Sequence, residues 1–96
     1  MREEVQDQYG NTIYLTDERW RHIIKRHRQL DGHRDKVLNT VRSATRKQDK
    51  LLFDKFYYEK SFPGLFGGRF TGIKVVVLLR RQNDRPNNFI LTAYPK

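Results

Sequence analysis

The hydrophobic period of this chain changes once, near residue 50, and no other feature constrains its fold as tightly. From Thr16 to that point apolar side chains recur at helical spacing; after it they alternate. Thr16 followed by Asp17 and Glu18 is a helix start, with a hydroxyl to accept a free N–H and two acids against the positive end of the helix dipole. Trp20, Ile23, Ile24 and His27 then fall on one stripe, with Arg19, Arg21, Lys25 and Arg26 largely outside it. This helix is expected to run to about Gln29 and to end at Asp31-Gly32. A second helix is expected from about His33 to Ala44, with Val37, Leu38, Val41 and Ala44 inward, and polar residues Thr45 to Lys50 read as a linker.

Beyond the linker, Leu51 to Lys60, Phe70 to Arg81 and Asn88 to Pro95 are rich in β-branched and aromatic residues and bounded by Gly, Pro and Asn turns, so three strands are expected. Helices ahead of strands predict an α+β domain in which two N-terminal helices pack on one face of an antiparallel sheet of three to four strands. A Gly10-Asn11 turn signal between Val5 and Leu15 adds a small N-terminal hairpin or an extended lead-in. Ninety-six residues hold one modest core, hence one domain over 1–96. The chain has no cysteine, which removes disulfides, thiolate zinc sites and thiol nucleophiles. Its longest apolar run, Val75 to Leu79, is far short of the roughly 20 residues of a membrane span. With acids Glu3 and Glu4 where a secretory signal carries bases, the expectation is a cytoplasmic protein with no membrane partner.

Charge is concentrated. Between Arg19 and Lys50 eleven Lys and Arg face three Asp, so this third of the chain holds eight of its nine net positive charges. A local surplus of this kind concentrates polyanions at one surface, and RNA is the expected partner, with Arg19, Lys25, Arg26 and Arg28 on the first helix as its contacts. A solvated basic face, or one covered by an acidic protein, accounts for the same charge.

The residues able to carry chemistry lie in three places. In the last strand, Asn88, Ile90, Thr92 and Tyr94 share one face and Phe89, Leu91 and Ala93 the other, the second set being the expected core. Thr92 and Tyr94 would then present a hydroxyl and a phenol for a phosphate oxygen and a base; two good strand formers on a half-exposed face explain them equally well. In the preceding strand Lys74, Val76, Leu78 and Arg80 share a face, so Lys74 and Arg80 bring cations to the same surface, either as phosphate clamps or as edge residues reaching for water. On the first helix His22 and His27 are five residues apart, roughly 140° around the axis, which is not the spacing of a metal pair, and no metal or other cofactor is expected. An imidazole titrates near neutrality, which suits His27 to take a proton from a ribose 2′-hydroxyl and return one to a leaving oxygen; half-buried packing is the alternative role of a stripe histidine.

The string Tyr14 to His27, YLTDERWRHIIKRH, resembles the first-helix signature of small bacterial and phage proteins of the barnase–EndoU–colicin–RelE superfamily of ribonucleases, and the ending Ile90 to Pro95, ILTAYP, resembles their last strand. Arg28-Gln29 stand where members of the family carry Pro-Glu. The resemblance implies a metal-independent endoribonuclease, the toxin of a toxin–antitoxin pair, held by an acidic antitoxin or immunity protein and acting on free or ribosome-bound RNA. Position by position it assigns His22, His27, Lys74, Thr92 and Tyr94 to the catalytic site. A non-catalytic RNA-binding module, or a structural subunit docking an acidic protein, would use the same cations for affinity alone.

Overall fold

The computed structural model describes residues Met1–Lys96 in full. The chain runs β1 (Arg2–Gln6), β2 (Thr12–Thr16), α1 (Asp17–Arg26), a 3-10 turn (Arg28–Leu30), α2 (Arg34–Ser43), β3 (Arg46–Gln48), β4 (Lys55–Ser61), β5 (Gly72–Gln82) and β6 (Arg85–Pro95). The strands form one six-stranded sheet in the order β1-β2-β6-β5-β4-β3. Its neighbours are antiparallel except β2 and β6, which run parallel through two residue pairs, Ile13 with Asn88 and Tyr14 with Phe89.

This corrects the expected architecture. The fold is mixed α+β, but the helices follow a strand pair instead of leading the chain, and the sheet has six strands, not three to four. The hairpin at Gly10 is part of the sheet because β2 carries Ile13 and Leu15, both fully buried, into the core. β3 lies inside the expected linker: Arg46-Lys47-Gln48 is polar because it is an edge strand, where charged side chains discourage further pairing. β4 begins at Lys55, so Leu51, Leu52 and Phe53 belong to the loop before it.

Both helices lie against the core face of the sheet. Trp20 and Ile23 of α1 and Val37, Leu38 and Val41 of α2 meet Ile13, Leu15, Tyr58, Ile73, Val75, Val77, Ile90 and Ala93. Thr16 caps α1, its hydroxyl accepting the Arg19 N–H at 3.0 Å. Buried Thr40 donates to the Lys36 carbonyl at 2.8 Å, which satisfies its hydroxyl within α2. α1 stops at Arg26, short of the expected Gln29, because His27 leaves helical geometry (φ −132°, ψ 77°) and the following turn carries Leu30 into the core.

The two ends of the sheet are tied together by Asp7. Its buried carboxylate accepts N–H groups of Tyr9 at 2.9 Å and Asn11 at 2.8 Å, the Arg46 guanidinium at 3.3 Å, and the Tyr58 hydroxyl. Arg46 is sandwiched between the rings of Tyr9 and Phe56, 4.1 and 4.5 Å from their centroids. Burial raises the Asp7 carboxyl, but donors from Tyr58, Asn11 and Tyr9 outweigh it and leave the group below the ordinary carboxylate range. Tyr58 is pushed up by burial and by its bond to Asp7.

Candidate active site

The site is built where β6 outruns its partner. Beyond Phe89 no strand pairs with β6 on the β2 side, and α1, which leaves β2 at Asp17, lies along that side instead. Between them is an open cleft of about 630 Å³ lined by Arg19, His22, Ile23, Arg26 and His27 of the helix and by Leu91, Thr92 and Tyr94 of the strand. A smaller hollow of about 180 Å³ continues it past Arg19 to Tyr14 and Phe89, whose rings lie 5.9 Å apart.

A β-bulge aims the strand residues. In the ladder Val76 pairs with Thr92 and Val77 with Ile90, so Leu91 is the extra residue. Strict alternation would place Ile90 with Thr92 and Tyr94, and Phe89 and Leu91 with Ala93. Instead Ile90 and Ala93 are both core residues, Phe89 and Leu91 are only partly buried, and Thr92 and Tyr94 remain on the open side. The bulge thus lets one strand serve the core along its whole length while its last turn of side chains faces the cleft.

His22 and His27 both line the cleft despite their spacing. The 140° rule holds only within a regular helix, and His27, as the C-cap, is rotated out of helical phase. Its ring lies 5.9 Å from that of Tyr94, centroid to centroid. The imidazoles of His22 and His27, the Thr92 hydroxyl and the Tyr94 phenol make no hydrogen bond within the protein, and no carboxylate lines the cleft. The tyrosines Tyr14, Tyr57 and Tyr58 all spend their hydroxyls on partners, Asn87 at 2.8 Å, Asp49 at 2.5 Å, and Asp7. Tyr94 is the one tyrosine inside the fold whose hydroxyl has none. Nowhere do three His, Asp or Glu side chains gather as a metal-holding group.

Lys74 pairs across the ladder with Tyr94, one row from the cleft. Its ammonium stands 3.9 Å from Glu59 and 4.7 Å from the Tyr57 ring centroid. The Lys96 ammonium, and with it the charges of Lys74 and Lys47, hold the Glu59 carboxyl below its ordinary range. Arg80 shares the sheet face of Lys74 but lies six residues further along β5, where it is bound to Asp54 at 2.9 Å, so it does not reach the cleft. Arg19 and Arg26 do line it; Lys25 and Arg28 are exposed beside it.

The basic surplus is available to a ligand. In the Arg19–Lys50 segment Arg34, Lys36 and Arg46 are paired with acids at 3.0, 3.4 and 3.3 Å, and the other eight cations have no carboxylate within 4.0 Å. Sequence reasoning missed the Asp7–Arg46–Tyr58 cluster, whose members are far apart in the chain, and Gly72, where a Cβ would lie 2.3 Å from the Lys60 carbonyl oxygen. No helix is long and apolar enough to cross a membrane. No family model matches this chain, and neither a curated protein nor a solved structure is significantly similar to it.

Proposed function

We propose that the cleft between α1 and β6 binds RNA and cleaves it by attack of a ribose 2′-hydroxyl on the adjacent phosphorus, without a metal. The observation that carries this reading is the group of four unpartnered proton-transfer and hydrogen-bonding side chains, His22, His27, Thr92 and Tyr94, beside two unpaired arginines in a cleft with no acid. His27, Thr92 and Tyr94 are half-buried without a protein partner, and exposed His22 stands beside them in the same cleft, an arrangement that leaves all four free for a ligand.

In this mechanism His27 accepts the proton of the 2′-hydroxyl as its oxygen bonds to phosphorus. The bond from phosphorus to the 5′-oxygen breaks, and that oxygen takes a proton from His22 as a protonated imidazole on the opposite side. The products are a 2′,3′-cyclic phosphate and a 5′-hydroxyl, and the two histidines exchange roles with solvent to reset. Arg19 and Arg26 balance the charge that grows on the phosphoryl oxygens, and Thr92 and Tyr94 donate to those oxygens and fix the scissile phosphate. The hollow at Tyr14 and Phe89 continues the path for a neighbouring nucleotide. Lys74 acts one row back, as a fixed charge behind Tyr94.

An oligoribonucleotide incubated with the protein in excess EDTA tests the chemistry. The expected products end in 2′,3′-cyclic phosphate and 5′-hydroxyl, while the same sequence made of 2′-deoxyribonucleotides binds and stays intact. Cleavage of the deoxy strand, or products with a 3′-hydroxyl and 5′-phosphate, would rule out attack by the 2′-oxygen. An antitoxin or immunity protein is the expected regulator, an acidic one because it must cover a basic cleft; cytoplasmic action follows from RNA as substrate.

A further inference from the structure

The loop between β3 and β4 holds three consecutive large apolar side chains in solvent: Leu51, Leu52 and Phe53 are 92%, 52% and 81% exposed. The loop is nonetheless fixed. Asp49 accepts the N–H groups of Leu51 and Leu52, both at 2.9 Å, and the Tyr57 hydroxyl at 2.5 Å. Gln48 donates to the Phe53 carbonyl at 2.7 Å, and the Asp54 carbonyl accepts the Leu79 N–H at 2.8 Å. A rigid loop that displays leucine and phenylalanine gives up the burial those side chains could have gained, and no part of this chain covers them.

The surroundings define what could. Lys50 immediately precedes the tip and Lys55 follows it, both without a carboxylate within 4.0 Å, while Asp49 and Asp54 are engaged inside the loop and by Arg80. The apolar area is roughly 400 Å², the size of an isolated functional patch and about half of what each partner commits to a stable protein interface. It is three consecutive side chains with Lys50 and Lys55 at its borders, a small apolar tip with positive charge beside it. A few inserted apolar side chains with cations beside them are enough for an anionic bilayer surface.

We propose that Leu51, Leu52 and Phe53 form a tip that inserts into the interface of an anionic lipid bilayer, with Lys50 and Lys55 against the headgroups. This is peripheral contact, which the lack of a spanning segment does not address. It is independent of the cleavage reaction: the tip lies past the Leu79 end of β5, away from the ladder rows of Lys74 and Val76 that lead to the cleft, so a bound protein keeps the cleft open.

Co-sedimentation with vesicles tests it, comparing phosphatidylcholine alone with equal parts phosphatidylcholine and phosphatidylglycerol. The protein is expected to sediment with the anionic vesicles and only weakly with the neutral ones. The double variant Leu51→Ser/Phe53→Ser, at positions too exposed to matter for folding, is expected to lose at least roughly tenfold in affinity with an unchanged unfolding midpoint. Anionic binding that survives in the double variant would mean general charge attraction and would overturn the proposal. So would an absence of binding to either vesicle, which would leave the tip to an apolar pocket of another protein.

Discussion

Tyr94 and Tyr58 show how one residue type serves two purposes in this chain. Tyr58 is fully buried and bound to Asp7, whereas Tyr94 is half-buried with its hydroxyl free. Removing a hydroxyl therefore has opposite consequences. Tyr58→Phe is expected to cost about 1–3 kcal/mol, because Asp7 loses a donor in a buried site, while Tyr94→Phe is expected to change stability by less than about 0.5 kcal/mol and to lower cleavage. Urea unfolding followed by an activity assay separates the two. Gly72→Ala is expected to destabilise by about 1–3 kcal/mol, since the added carbon would meet backbone rather than a movable side chain. Neither Tyr58 nor Gly72 stands out in the sequence, because each depends on a contact made across strands. His22, His27, Thr92 and Tyr94 were legible as chemically capable residues; that His22 faces the same cleft as His27 was not, because helix termination at His27 is set by the burial of Leu30.

Whole elements carry the next level. The start of α1 follows from its Thr16 cap, and the long strands β5 and β6 from their β-branched and aromatic runs between turn residues, and both are legible. What escaped is short and polar: the Arg2-Glu3-Glu4 start of β1, ahead of the expected hairpin, and the whole of β3, Arg46-Lys47-Gln48, sit at the two sheet edges, where polarity is an advantage and the alternating signal disappears. Period-two reasoning also failed inside β6, because a bulge adds one residue to one strand and reverses which face the later side chains take. Deleting Leu91 tests that role. It is expected to close the bulge while leaving Ile90, Ala93 and Pro95 inward and Thr92 and Tyr94 on the open side, so that a cooperative thermal transition survives and cleavage falls as the strand loses its local twist at the cleft. α1 supplies the basic wall of the cleft, and Arg19→Ala and Arg26→Ala are each expected to reduce the slope of log affinity for RNA against log salt by about 1.

At the scale of the molecule, the clasp at Asp7 joins the first hairpin to β3 and β4. Its carboxyl lies below the ordinary value of 3.8 in the folded protein, so the clasp contributes fully above that pH and is lost as the pH falls through the lower folded value. Asp49, held at about 2 by the Tyr57 hydroxyl and two loop N–H groups, changes in the same direction. Stability is therefore expected to fall below pH 3.8, and Asp7→Ala to remove about 3 kcal/mol near neutrality and flatten that acid limb, as measured by urea midpoints across pH. The molecule's charge has a matching division, with cations paired where they tie elements together and unpaired along α1. The central claim is that His27 transfers a proton in RNA cleavage and does not merely fill space beside Tyr94. The direct measurement is single-turnover cleavage of an oligoribonucleotide in EDTA by the natural protein and by His27→Ala, with binding of the uncleavable deoxy strand measured in parallel. The account predicts a loss of cleavage of about 10²-fold or more with affinity nearly unchanged; equal cleavage by the two proteins, or no cleavage by the natural protein despite tight binding, would contradict it.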